Sequence, residues 1–370
     1  MTMPDNHRNL DVRAGLSLYV GRPLPAEFLG LPPDLEPLVG SWVYPEVTAD
    51  PLMTTEPAEQ RLSVLGRQLR ERGTAAGMTM LAPGSPGWPA GTGCDGLPCL
   101  WVRGAADVAE MLDKAITMTG SRACTTYGAH VAEDVSGQLT DAGWTIVTAA
   151  GLGIDHAAIG GALAVPAASP LLVAGAGLDQ GLGPSTAWAV EQTSACGAVI
   201  SPFPPGANRS LPRSAVRSHL LYRLGAATAL VEASMHSESL PVARRAAQAG
   251  WTVCAMPGPV TSVTSAGCHQ LIREGVAVPV TSAEEIAAAT SRTGGAGPDR
   301  FTISAEVRHN SDPCIRVVPP FQVIAASPAY AANAAVDIIA GGQLGSAELH
   351  LLIRPATGAD ESLTIRLAAA

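Results

Sequence analysis

The chain has 370 residues, 47% of them hydrophobic but only 15% charged and 4% aromatic, and it carries a net charge of −9. That length holds two or three domains with a sizeable core. The acidic balance excludes a protein that traps nucleic acid through its overall field, so a polyanion would have to be met by a local basic patch. Seven cysteines, an odd count without a Cys-x-x-Cys pair, argue against a disulfide framework or a zinc site and fit free thiols in a reducing cytoplasm. The N-terminus, with Asp5, Arg8, Asp11 and Arg13, lacks the apolar core of a signal peptide. The apolar stretch 154–178 is broken by Asp155, His156 and two prolines, so it reads as a helix plus a buried strand and not as a membrane span.

Residues 1–75 read as a helical N-terminal region. Thr55-Glu-Pro-Ala-Glu-Gln-Arg has the form of a helix start, and Leu62, Leu65 and Leu69 give an apolar stripe that ends at Gly73. Residues 76–290 alternate short apolar runs with helical segments. The spacing predicts strands at 78–81, 100–103, 115–118, 144–148, 170–174, 197–201, 227–232, 251–256 and 276–280. Helices are expected at 105–112, 129–142, 154–164, 185–196, 239–249 and 265–274, and one more opening at Ser282. This pattern defines a Rossmann-like, doubly wound, mostly parallel sheet buried on both faces. Residues 291–299 are a linker by composition. Residues 300–370 form a small α+β appendage, with period-two runs at 301–307, 348–354 and 363–367 and a candidate helix over 329–339.

In such sheets ligands sit at the carboxyl ends of the strands, where bare loop amides and helix N-termini favour anions. Three small-residue loops occupy such ends. Gly120-Ser121-Arg122 offers close backbone approach, a hydroxyl and a fixed guanidinium fork. Gly151-Leu-Gly153-Ile-Asp155 lacks the third glycine of a dinucleotide fingerprint and fits a phosphate-proximal turn, with Asp155 as a cap or ligand group. Gly175-Ala-Gly177-Leu-Asp179 repeats the small-residue pattern. Segment 208–223 holds four arginines and no acid. Arg209, Arg213 and Arg217 recur every four residues and would stack on one helix face, although Pro212 allows Arg209 to precede the helix. Guanidinium groups in a row suit a phosphate backbone. No Ser-His-Asp set, Cys-His set or metal-ligand cluster has telling spacing, so no catalysis, metal or cofactor is expected.

As an ordered set, these segments resemble the DNA-processing protein A (DprA/Smf) family over about residues 78–290. The set comprises Gly120-Ser-Arg122 with Tyr127-Gly128, 148–155, Gly177-Leu-Asp179, Gly197-Ala-Val-Ile-Ser201, Leu230-Val-Glu-Ala233, Ser237-Glu-Ser-Leu240, Pro257-Gly258 and 265–275. The resemblance implies an extended Rossmann fold that binds single-stranded DNA, with a RecA-type recombinase as a partner and a homodimeric state. It also places Ser237, Ser239 and His219 at positions that face phosphate. The chain departs from the family pattern at several points: Ala149 and Glu238 stand for glycines, Ile159 for a histidine, Leu182-Gly183 for Tyr-Pro, and His269 for an asparagine. Arg217 keeps the first arginine of an Arg-Asn-Arg motif, whose other two places hold Ser218 and His219. A reading from a different class is a nucleotide-binding sensor, or a Lonely-guy-type phosphoribohydrolase, of the same fold family.

Overall fold

In the computed structural model, residues 3–20, 58–180, 184–292, 299–309, 315–325, 347–355 and 361–367 are described. The N-terminal region supplies α1 (Met3–Leu16) and α2 (Ala58–Ala75). These two helices pack at a point where Gly15 and Gly66 leave no room for a side chain against the facing backbone. The strands and helices that follow alternate: β1 (Thr79–Leu81), β2 (Leu100–Gly104), α3 (Val108–Asp113), β3 (Ala115–Thr119), α4 (Thr126–Asp141), β4 (Thr145–Ala149) and α5 (Ile154–Leu163). The alternation continues through β5 (Leu171–Val173), α6 (Pro184–Cys196), β6 (Ala198–Ser201), α7 (Leu211–Leu221), β7 (Ala227–Leu230) and α8 (Ser239–Gln248). It closes with β8 (Thr252–Ala255), α9 (Ala266–Arg273), β9 (Val278–Pro279) and α10 (Ala283–Arg292).

Nine strands make one sheet in the order β1-β2-β6-β5-β4-β3-β7-β8-β9. All neighbours from β6 to β9 run parallel. The edge pair β1–β2 and the β2–β6 contact are antiparallel, because the chain enters the sheet through a turn-rich segment without a crossover helix. Alternate residues of one strand serve opposite faces. Ile116 and Met118 of β3 enter a core with Ala132 and Val135 of α4 and Ile286 of α10, whereas Ala115 joins Met111 of α3 and Leu220 of α7. The expected mostly parallel sheet is therefore the observed fold.

The element ends differ from expectation where side chains cap helices. Asp107 accepts from the amides of Ala109 and Glu110, so α3 starts at Val108 and not at residue 105. Thr125 accepts from the Gly128 amide and starts α4 three residues earlier than periodicity alone indicates. At α10, Ser282 accepts from the Glu285 amide while the Glu285 carboxylate accepts from the Thr281 amide, so the helix opens at Ser282 as expected with a reciprocal cap. After residue 298, β10 (Asp299–His309), β11 (Ile315–Ala325), β12 (Ala347–Pro355) and β13 (Glu361–Leu367) form a four-stranded antiparallel sheet in the order β11-β10-β12-β13. The period-two runs mark three of these strands; β11 carries two prolines and gives no such signal. The candidate helix over 329–339 lies outside the described residues.

Candidate functional site

Chain order moves outward from β3 through β4, β5 and β6, and then jumps to the other side of β3 with β7. The switch of direction lies between β3 and β7, and it is here that doubly wound sheets open a crevice. The β3–α4 loop forms one wall. The β7–α8 loop with the first residues of α8 forms the other, α5 supplies Asp155 at the floor, and α7 closes the side. The cavity between them is about 200 Å³ and partly open to solvent.

Of the residues expected to meet phosphate, Gly120, Ser121, Arg122, Asp155, Arg217, Ser237 and Ser239 line this cavity. Ser121 is fixed on both sides of its peptide: its amide donates to the Glu232 carbonyl (2.7 Å) and its carbonyl accepts from Ile154 (3.1 Å). Ser237 accepts from the Ser239 amide at the start of α8 (3.2 Å). That arrangement turns the helix N-terminus, with its partial positive charge, toward the cavity.

Asp155 is no helix cap. Gly153 holds the cap position of α5 without a side-chain bond, and its φ of 69° together with its contact on the Ser121 and Arg122 carbonyls leaves glycine alone able to sit there. The Asp155 carboxylate instead accepts from Thr119 Oγ1 (2.8 Å) and, more weakly, from Thr148 Oγ1 (3.5 Å). Burial raises its pKa to about 6, against the opposing pull of Arg217, Thr119, Arg122 and Thr148. Burial likewise lowers the pKa of Arg217, which Asp155 opposes and Arg122 and Arg209 reinforce. Arg217 thus feels two further guanidinium groups, one of them from a separate segment of the chain.

The expected row Arg209–Arg213–Arg217 is not formed. Ser210 caps α7 and Leu211 begins it, so the exposed Arg209 precedes the helix. Arg213 is buried, 5.6 Å above the Phe203 ring, and its guanidinium donates to the Asn208 carbonyl. His219 faces away from the cavity toward Arg245. Gly151 makes room for the Asp155 carboxylate, and Gly177 packs on the Pro204 carbonyl in a turn that Asp179 holds through the Gly206 amide (2.8 Å) and Arg72 (2.6 Å). Gly120, Gly151, Gly153 and Gly177 follow parallel strands β3, β4 and β5 and share one edge of the sheet, and of these Gly120 alone lines the cavity.

Sequence reasoning missed two residues. Glu232 is fully buried, and its carboxylate accepts from the Thr125 amide (2.9 Å), the Thr125 hydroxyl (2.6 Å) and the Thr264 hydroxyl (3.0 Å). Gly128 has no side chain because this carboxylate fills the space. Tyr222 lines the cavity, and burial pushes its phenol pKa up. Its buried hydroxyl makes no hydrogen bond of normal geometry among the described residues, although Ser239 lies close enough to oppose part of that shift. A lone acid and a lone tyrosine at the ends of apolar runs carry no spacing signal.

The fold and cavity define a doubly wound α/β protein with a polar crevice at its topological switch point. The profile of the family described as DNA recombination-mediator protein A matches residues 80–291. A Mycobacterium tuberculosis protein carrying the DprA name is 32% identical over 223 residues, 57% of each chain. Protein Smf of Escherichia coli is 35% identical over 176 residues, 46% of each chain. The crystal structure of DNA processing protein A from Streptococcus pneumoniae superposes with a TM-score of 0.54 at 26% identity, covering 64% of this chain and 82% of that one. This chain belongs to the DNA recombination-mediator protein A (DprA/Smf) family. It spans about half the length of the curated relatives it matches. The match does not favour the nucleotide-sensor and phosphoribohydrolase readings. Among the described residues no helix is long and apolar enough to cross a membrane.

Proposed function

We propose that the protein is a DprA-like binder of single-stranded DNA that acts in DNA processing and recombination without catalysing a reaction. The observation that carries this reading is the convergence of Ser121, Arg122, Arg217, Ser237 and Ser239 on one small cavity at the switch point. A cavity of about 200 Å³ suits one phosphate of a flexible single strand, which can bend its neighbours past the loop walls. Family membership adds a RecA-type recombinase partner, a homodimeric state and a cytoplasmic location to the proposal. Residues 76–290 are the binding unit in this reading, and 300–370 an appendage of separate role.

The test is a salt-titrated binding assay with labelled oligothymidine beside a panel of free nucleotides. Arg122→Ala and Arg217→Ala should each weaken oligothymidine binding regardless of base sequence and flatten the log-log salt slope by about 0.7 per lost phosphate contact. Unchanged affinity and slope in both variants, or tight nucleotide binding without oligothymidine binding, would overturn the reading.

A further inference from the structure

Tyr222 follows directly on α7, and it is only 2% exposed although it lines the switch-point cavity. Its hydroxyl is buried and has no hydrogen-bond partner of normal geometry among the described residues. Burial keeps the phenol pKa up, and the other groups that it senses include Ser239, Asp155 and Arg217, all three in the cavity lining. The hydroxyl is therefore protonated and turned toward the cavity, where it can donate to an incoming acceptor. A buried hydroxyl without a partner costs stability, and a ligand oxygen at this place removes that cost.

The cavity is small, and its donors stand on three sides. At about 200 Å³ it falls below the usual size of a ligand pocket, so it takes a phosphate group and not a whole nucleotide. Arg122 comes from the β3–α4 wall, Ser239 from the α8 wall, and Arg217 and Tyr222 from the α7 side. A phosphodiester inside a strand carries a nucleoside on each of its two ester oxygens. Both nucleosides must leave by the open side, and only two oxygens remain for the cavity. A terminal phosphomonoester has a single ester oxygen and three free acceptor oxygens, one for each side. Charge does not make this choice, because Asp155 and Glu238 stand in the same lining as Arg122 and Arg217, two acids against two bases. A neutral donor at a fixed place does. We infer that the cavity prefers the phosphomonoester end of a strand to the phosphodiesters along it, and that the Tyr222 hydroxyl determines this specificity by donating to the third terminal oxygen. The inference rests on the single-strand reading and adds the point on the strand that the cavity engages.

The experiment compares three oligothymidines of equal length, one with a 5′-phosphate, one with a 3′-phosphate and one with hydroxyls at both ends. Each is labelled on an internal base and titrated with the full chain at low salt, read by anisotropy. At least one phosphorylated strand should bind about tenfold tighter than the hydroxyl-ended strand, the order of one hydrogen bond to a charged group. Which strand shows the gain tells the 5′ end from the 3′ end. Tyr222→Phe keeps the ring and removes the hydroxyl, so it should bring the ratio down to about one. Its melting temperature should equal or exceed the parent's, because the lost hydroxyl has no partner to forfeit. A gain that came from the added charge alone would persist in Tyr222→Phe, so a preference that survives there overturns the inference. Equal binding of all three strands by the parent overturns the end preference and leaves the single-strand reading standing. Binding of none of the three overturns both.

Discussion

Glu238 and Asp155 put negative charge in the cavity that the proposed function assigns to phosphate, and each does so differently. Glu238 lines the cavity from an exposed position, where a glycine stands in the wider family. At an effective dielectric near 20, a charge pair about 5 Å apart interacts by roughly 3 kcal/mol before salt screening, and exposure reduces that further. Glu238→Gly should therefore tighten oligothymidine binding severalfold at low salt and much less near 0.5 M, as measured by anisotropy. Asp155 is buried, and its folded pKa of about 6 lies above its ordinary value of 3.8. The folded chain thus keeps this proton longer than the unfolded chain. The group lowers stability as pH rises from about 4 to about 6, by roughly 3 kcal/mol in all. Asp155→Asn should flatten denaturation midpoints across that window and strengthen anion binding at pH 7.5; a stability curve that keeps its slope would place the titration elsewhere. Gly120-Ser121-Arg122 was legible in the sequence because a small-residue loop directly after an apolar run marks a place where the backbone must approach something closely. Glu232 was not, because its three hydrogen bonds come from Thr125 and Thr264, which only the fold brings together.

At the scale of elements, α7 shows why equal spacing is a weak guide near a helix start. Arginines four apart stack only inside a helix. Here the cap at Ser210 leaves Arg209 outside, and the first turn of α7 turns Arg213 inward over Phe203. The two remaining arginines thus have opposite duties. Arg213→Ala should lower stability by about 1–3 kcal/mol, through the lost ring contact and the freed Asn208 carbonyl. Arg217→Ala should change stability much less, because the lost attraction to Asp155 is offset by relief of a buried charge and of repulsion from Arg122 and Arg209. Thermal melts of the two variants side by side check this; equal losses would show that Arg213 has no structural part. The alternation of apolar runs and helices fixed nearly every element of the parallel sheet in advance. What it could not fix were the ends, since caps depend on one hydroxyl or carboxylate meeting one amide, as Asp107 and Thr125 do.

At the scale of the molecule, a chain of net charge −9 opens a crevice at the point where its sheet reverses direction, with Arg122 and Arg217 set beside Asp155 and Glu238. The doubly wound class was readable because buried parallel strands need unbroken apolar runs. The strand order was not, since order is set by which crossovers pack, and the antiparallel pair β1–β2 follows from turns that carry no such signature. The N-terminal helices are tied to this core through Arg72, whose guanidinium reaches Asp179 in the turn that leads toward α7.

The loops around the crevice are joined from behind by Glu232, whose side chain holds the β3–α4 loop to the segment before α9 and whose carbonyl holds Ser121. A binding surface braced by an interior residue that never meets the ligand is complete before any ligand arrives. On the proposed reading, capture then involves little ordering of loops, so its speed is governed by how often a strand diffuses to the crevice in the right orientation, and its lifetime by how fast the phosphates let go. Such a site, on that same reading, is quick to engage a strand and quick to release it.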